Sequence, residues 1–377
     1  MKPARSQCAD ILCRNMTSMP SVIVAPDAFK GTLTAREAAD AMALGMHRVL
    51  PHAQVRLMPM ADGGEGTLEA ILTAMPGERR SIMVSDAAGN PLVADYAVLE
   101  DGTAVIEIAR IVGFTQPGIA ATPLARRTTA GVGQLLTHCL DLGIRRYLVG
   151  LGGSSTNDGG IGMLTVLGMQ VEEQADRLQS VDLSHLDTRL SDCRITLLTD
   201  VDNPLCGERG ASAVYGPQKG ATPDEVPALD ARLHRFSRLA NPALAAAPGT
   251  GAAGGLGYAL QLIGGEYCNG AEKLLELMGF DAALQDADWV MTGEGRSDWQ
   301  TLYGKAPCIV ARHARAAGVP VTLISGQIDS GALTALQALF QDCHAIVQGD
   351  GDVVTAMENA ARLLAERAEQ AARLRLQ

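Results

Sequence analysis

Five apolar runs in this 377-residue chain each stop at a loop rich in glycine and acids. SVIVA (21–25) stops at Pro26 and leads into APDAFKGT; the run 54–60 leads into ADGGEGT (61–67). Arg146 to Val149 leads into SSTNDGG (154–160), RITLLT (194–199) into the segment 199–221, and DWVMT (288–292) into GEGRSDWQTLYGKAP (293–307). Between them lie helical patterns, opened in one case by the capping box Thr34–Ala35–Arg36–Glu37. Helices are predicted to about Leu50, to about Met75, and over 131–142, 160–168, 305–317, 331–340 and 353–376; residues 223–245 read as helix interrupted by prolines. Strands alternating with helices predict a parallel sheet covered on both faces. Between Arg80 and Ile108 short alternating segments with turns at 88–91 and 101–102 predict antiparallel or mixed sheet instead.

The fold expected is therefore α/β with two domains. A Rossmann- or flavodoxin-like parallel-sheet domain is formed by both chain ends (20–75 plus 285–377), and a mixed α/β domain (76–284) is inserted between them. Residues 1–19 read as a disordered leader, with Met16 or Met19 as alternative starts, because they lack the apolar core of a secretion signal. At 47% hydrophobic residues the chain can bury a large core. A net charge of −11 argues against a general nucleic-acid or anionic-membrane partner, and no apolar run reaches the roughly 18 residues of a membrane span. Eight scattered cysteines without a C-x-x-C pair suit reduced thiols in a cytoplasm. A monomer or homodimer is expected.

The densest loop, VGLGGSSTNDGGIGML (149–164), holds six glycines beside one carboxylate, Asp158. A strand feeding a glycine-rich loop that opens a helix can present backbone N–H groups to an anion. Only five basic residues are lysines, and Lys30, Lys219 and Lys305 each abut a glycine, where a compact ammonium suits phosphate oxygens. The loops together offer Asp27, Lys30, Asp62, Glu65, Asn157, Asp158, Asp200, Asp202, Asn203, Lys219, Glu294, Arg296, Asp298 and Lys305. Ligands of open α/β sheets bind outside the carboxyl ends of the strands, so these loops can converge on one cleft. Carboxylates without histidines fit Mg²⁺ better than zinc, and glycine backbone, hydroxyls and lysines fit phosphate; together they describe phosphoryl transfer. There is no Walker or protein-kinase motif, and Gly249, Gly251 and Gly254 follow a helix rather than a strand, against dinucleotide binding.

The segments APDAFKGTLTA, ADGGEGT, GLGGSSTNDGGIGML, DNPLCGERGASAVYGPQKGA and MTGEGRSDWQTLYGKAP, in this order, resemble the signatures of bacterial type-1 glycerate kinases. The resemblance runs from about residue 20 to the C-terminus. It implies phosphorylation of D-glycerate by ATP with Mg²⁺, most often to 2-phosphoglycerate in glyoxylate or sugar-acid catabolism, at an active site between two α/β domains. Ala130 departs from the family, standing where such enzymes often carry arginine or an aromatic residue. On the matching positions, Lys30, Arg127 and the 152–156 backbone are candidates for the glycerate carboxylate. Asp200 and Glu294, with Asp298, are candidates for Mg²⁺, and Asp158 or Asp27 for the base. Asp62, Glu65, Gly153, Ser154, Asn157, Asn203, Lys219, Arg296 and Lys305 are expected to bind substrate or phosphate. The alternatives are transfer to the 3-hydroxyl, another small hydroxy-acid kinase, or a non-catalytic ligand-binding regulator on the same fold.

Overall fold

The computed structural model describes residues 19–175, 177–347 and 353–376; the expected leader lies outside them except for Met19. The chain divides into two compact units. The first takes the described residues of Met1–Met58, Asp281–Leu302 and Val310–Gln377; the second takes Pro59–Phe280 and Tyr303–Ile309. Residues 59–75, expected with the chain ends, go with the second unit.

In the first unit, strands β1 (Ser21–Val24) and β2 (Gln54–Leu57) pair in parallel. Helix Ala35–His47 connects them, opened by the predicted capping box: the Thr34 hydroxyl accepts from Glu37 N (3.2 Å) and the Glu37 carboxylate accepts from Thr34 N (2.8 Å). Two orphan N–H groups are thereby satisfied reciprocally. On the other side of β1 the chain returns as three strands, β11 (Trp289–Ser297), β12 (Val321–Ile328) and β13 (Asp342–Ala345). The sheet order is β13-β12-β11-β1-β2, all parallel, so the winding reverses between β1 and β11. Helix Ala360–Arg375 lies on helix Ala35–His47 so closely that a Cβ on Gly45 would stand 1.9 Å from the Ala365 carbonyl oxygen. Their buried faces are mostly alanine and methionine, which permits that approach.

Strand β11 runs past the predicted end at 292. Glu294, Arg296 and Ser297 pair with Ser325, Gln327 and Ile328, so GEGRS is sheet rather than loop. Its glycines marked a turn in the sequence but serve packing here: a Cβ on Gly293 would stand 1.9 Å from Ile324 O. The long final helix is divided into Val353–Glu358 and Ala360–Arg375.

The second unit holds six strands in the order β10-β9-β6-β5-β4-β3. Strands β3 (Gly77–Ser85) and β4 (Pro91–Leu99) are antiparallel, as the alternating pattern predicts. Strands β5 (Thr103–Glu107), β6 (Arg146–Gly150), β9 (Arg194–Thr199) and β10 (Gly265–Asn269) are parallel. The hairpin β7 (Gln170–Gln174) and β8 (Arg177–Asp182) was not predicted, and neither was β10. One core joins Tyr96, Tyr147, Phe236 and Tyr258 to the leucines and isoleucines of strands and helices. Each such side chain contributes on the order of 1.5–3 kcal/mol by leaving water. No helix among the described residues is long and apolar enough to cross a membrane.

At the carboxyl ends of β6 and β9 two loops touch backbone to backbone. Gly152 N donates to Gly63 O at 2.8 Å, and a Cβ on Gly152 would stand 2.4 Å from Gly64 Cα. Gly152→Ala should therefore lower stability by about 1–3 kcal/mol, as overpacking does. Urea unfolding measures it, and an unchanged midpoint would show that this contact can open without cost.

Candidate active site

The loop after β6 answers why 149–164 carries six glycines. A Cβ placed on any of Gly150, Gly152, Gly153, Gly159, Gly160 or Gly162 would meet another protein atom within 3.0 Å: Gly63 O, Gly64 Cα, Ala109 Cβ, Leu233 Cδ2, Ala259 Cβ and Thr128 Oγ1 respectively. These glycines seat the loop among its neighbours, so their number needs no anion to explain it. The segment 249–255 serves the same loop. Gly159 N donates to Gly254 O (3.0 Å), and Gly254, at φ +67°, lies against Thr156 O where a Cβ would stand at 2.0 Å. Ser155 is pinned from the other side, its N and Oγ both donating to Val112 O at 2.8 Å.

Three expected site residues meet beneath this loop, all within the second unit. Lys219, from the 3₁₀ turn Pro217–Lys219, is buried and donates from Nζ to Ser154 Oγ and to Thr156 O, each at 2.8 Å. Arg127 is buried too; Nη1 donates to Ser155 O and Lys219 O at 3.0 Å, and Nε to Thr122 O at 2.9 Å. The two cations thus hold the carbonyls of consecutive loop residues. Burial pushes the Lys219 ammonium down to about 7, with Arg127 adding to the fall and Asp158 opposing it. Burial lowers the Arg127 guanidinium as well.

Asp158 is engaged at both oxygens. Oδ2 accepts from Thr129 N (2.9 Å), Thr129 Oγ1 (2.8 Å) and Gly162 N (3.1 Å), and Oδ1 accepts from Gly160 N (3.0 Å). It ties the loop to the start of helix Ile161–Val166 and to the residue before helix Ala130–Asp141, which is turn-forming work. Asn157 donates from Nδ2 to Ser212 Oγ at 2.9 Å, while its Oδ1 and Thr156 Oγ1 are buried without a partner.

Elsewhere in this unit, Asp62 closes its own turn by accepting from Gly64 N at 3.0 Å, and Glu65 is exposed. Asn203 accepts from Tyr215 Oη at 2.6 Å and donates to Arg209 O at 2.8 Å, which fixes the 200–210 loop. Asp200 is exposed; with Asp202 it adds to the burial that pushes Tyr215 up to about 12. Lys305 is half-buried, its carbonyl accepting from Cys308 N and Ile309 N. Glu107 was not singled out in the sequence. It is buried at the end of β5, its Oε2 accepts from Leu68 N (3.1 Å), and burial raises its pKa against the pull of Arg110. The signal was there, since TAVIEIARIV places one acid inside an apolar strand.

In the first unit, the reversal between β1 and β11 brings two expected groups together. Asp27 N donates to Gly293 O (2.8 Å) and Asp27 Oδ1 accepts from Ala28 N (2.7 Å); Lys30 is exposed. Glu294 is buried on β11, where Oε1 accepts from Ser297 Oγ (2.9 Å) and Thr301 Oγ1 (2.6 Å). Arg296 is exposed and lies loosely between Asp298 (3.9 Å) and Asp329 (4.0 Å). Among the described residues no three His, Cys, Asp or Glu side chains gather as a metal cluster.

Two outcomes follow from these charged groups. Asp158→Asn turns an acceptor into a donor facing N–H groups and should cost about 1–3 kcal/mol of stability. A variant with an unshifted urea midpoint and a reduced kcat would return Asp158 to the base role. Lys219 titrates in the folded protein near 7 instead of at its ordinary 10.5, so the unfolded chain binds more protons between these values. Its destabilising effect is full below about pH 7 and relieved as pH rises toward 10.5. Stability should increase across that window by on the order of a few kcal/mol, and Lys219→Met should flatten the slope, read by urea titration at several pH values.

A profile described as the glycerate kinase family matches residues 22–376. The chain is 39% identical over 373 residues to the glycerate kinase of Halalkalibacterium halodurans, covering 94% of this chain and 97% of that one. It is 38% identical over 325 residues to the glycerate 2-kinase of Escherichia coli K12, covering 81% and 85%. A crystal structure described as a candidate glycerate kinase 2 from Salmonella typhimurium LT2 superposes with a TM-score of 0.78 at 36% identity, covering 94% and 98% of the two chains. The matched stretch contains all five glycine- and acid-rich loops, and the chain belongs to the glycerate kinase family.

Proposed function

We propose that this chain transfers the terminal phosphoryl group of ATP to the 2-hydroxyl of D-glycerate, with Mg²⁺, giving 2-phosphoglycerate. The observation that supports it best is the Ser154–Ser155–Thr156 segment at the carboxyl edge of the parallel strands, backed by two buried cations and one carboxylate. The backing of this loop by Arg127, and by Lys219 while it is protonated, favours an anionic acceptor, and a field preorganised in a buried site stabilises charge more than it would in water. Glycerate, with a carboxylate beside a hydroxyl, is an acceptor of that kind. The Escherichia coli relative is named a glycerate 2-kinase, which favours the 2-hydroxyl over the 3-hydroxyl.

Mg²⁺ fits the residues present. It keeps several waters and takes one or two carboxylates with phosphate oxygens, so no three-carboxylate cage is needed. Either Asp200, at the end of β9 in the second unit, or Glu294 with Asp298, in the first, would supply its carboxylate oxygens. The ion would neutralise charge on the phosphate oxygens.

With ATP, Mg²⁺ and D-glycerate, the ³¹P NMR signal of the product should split against a single carbinol proton, as in 2-phosphoglycerate. Splitting by a CH₂ pair would instead establish the 3-hydroxyl. Activity should vanish in EDTA and return with Mg²⁺ or Mn²⁺; full turnover without metal, or glycerate binding without turnover, would overturn the assignment.

A further inference from the structure

We propose that Lys219, acting through the hydroxyl of Ser154, receives the proton that leaves the attacking hydroxyl of the acceptor. The proposal rests on the phosphoryl-transfer reading and replaces the carboxylate expected as base in the second unit.

The geometry begins with Asp158. Asp158 Oδ2 accepts three hydrogen bonds and Oδ1 one, from loop and helix N–H groups and from Thr129 Oγ1, so that carboxylate is engaged in holding the loop. Lys219 Nζ is 2.8 Å from Ser154 Oγ and 2.8 Å from Thr156 O. An uncharged amine keeps one N–H on Thr156 O and turns its lone pair toward the Ser154 hydroxyl, which then donates to it at the same separation. The charged groups that face Nζ are Asp158 and Arg127, of opposite sign. Burial dominates over both and puts the amine near neutrality, where a base works best because it is unprotonated yet still basic. Serine paired with a desolvated lysine is a known way of activating a hydroxyl.

The transfer balances. The acceptor hydroxyl gives its proton to Ser154 Oγ as Ser154 gives its own to the Nζ lone pair. The acceptor oxygen uses the electron pair so freed to bond to the γ-phosphorus, and the bond from phosphorus to the β,γ-bridging oxygen breaks with its electrons leaving on ADP. Lys219, now an ammonium, returns the proton through Ser154 to solvent when product departs. Ser154 is the group that touches substrate, and Lys219 is the terminal proton acceptor behind it.

The test uses the full-length protein with saturating MgATP and D-glycerate. Wild-type kcat should rise with pH with unit slope and level off above about 7. Ser154→Ala, a small change, should lower kcat roughly 10²–10⁴-fold with little change in glycerate KM. Lys219→Arg keeps the charge and the donors but cannot give up its proton, so it should lose a similar factor together with the acid limb of the profile. If Lys219 only braces the loop, Lys219→Arg restores activity relative to Lys219→Met, and the relay is overturned. It is also overturned if Ser154→Ala keeps wild-type kcat, or if wild-type kcat shows no ionisation between about pH 6 and 8. A folding failure in Lys219→Arg leaves the last two measurements to decide. A wild-type protein that transfers no phosphoryl group to glycerate fails the reading beneath, which this profile separates from failure of the relay.

Discussion

Gly63 and Gly152 bring two backbones closer than any side chain would allow, and the second unit's loops are arranged around that contact. Gly63 itself lies over the end of β9, where a Cβ would stand 2.1 Å from Leu198 O, and Leu151 N donates to that same carbonyl at 3.0 Å. The loop after β2, the loop after β6 and the end of β9 are thereby fixed as one block. Gly270, at the start of the helix that follows β10, continues the block: its Cβ position is 2.2 Å from Asp62 O. Rigid backing of this kind is what a site needs if its polar groups are to act without first reorganising.

On that block the molecule places two cations where burial is costly. Replacing buried charges with apolar residues often stabilises a protein, so Lys219 and Arg127, with the half-buried Asp158 beside them, are weak evidence for stability. Each has the partners that make burial tolerable, carbonyls for the cations and N–H or hydroxyl groups for the acid. The unpartnered Thr156 Oγ1 and Asn157 Oδ1 beside them add to the cost, since buried polar atoms are nearly always satisfied. Cost concentrated in one loop is what a functional site accepts in place of stability.

Much of this was legible in the sequence where one physical signal dominated. β1, β9 and the capped helix Ala35–His47 follow from apolar runs and a capping box, and the change to antiparallel sheet follows from alternation and turns. The hairpin β7–β8 escaped because QVEEQ and RLQSVD are largely polar and exposed, and the residues that reach the core, Val171, Leu178 and Val181, do not recur at a period of two. β10 escaped because GEYCN is short and opens on a glycine that follows another. At the site, residue types were legible and their work was not. Glycines placed for backbone contact look in sequence like glycines placed for an anion, and Asn203 looks like a ligand although both ends of its amide are used internally.

The choice of lysine at 219 is informative for the same reason. The chain uses arginine almost everywhere, and two residues of the same charge lie under one loop as Arg127 and Lys219. An arginine stays protonated in either environment, so desolvation can only raise its cost. A lysine can answer desolvation by losing its proton, which converts the cost of burial into a lone pair. Were the position there solely to hold loop carbonyls with a fixed positive charge, the always-charged guanidinium would serve it, as it does at 127. Lysine is the residue that can stop being a cation, and Ser154 is the hydroxyl beside it when it does.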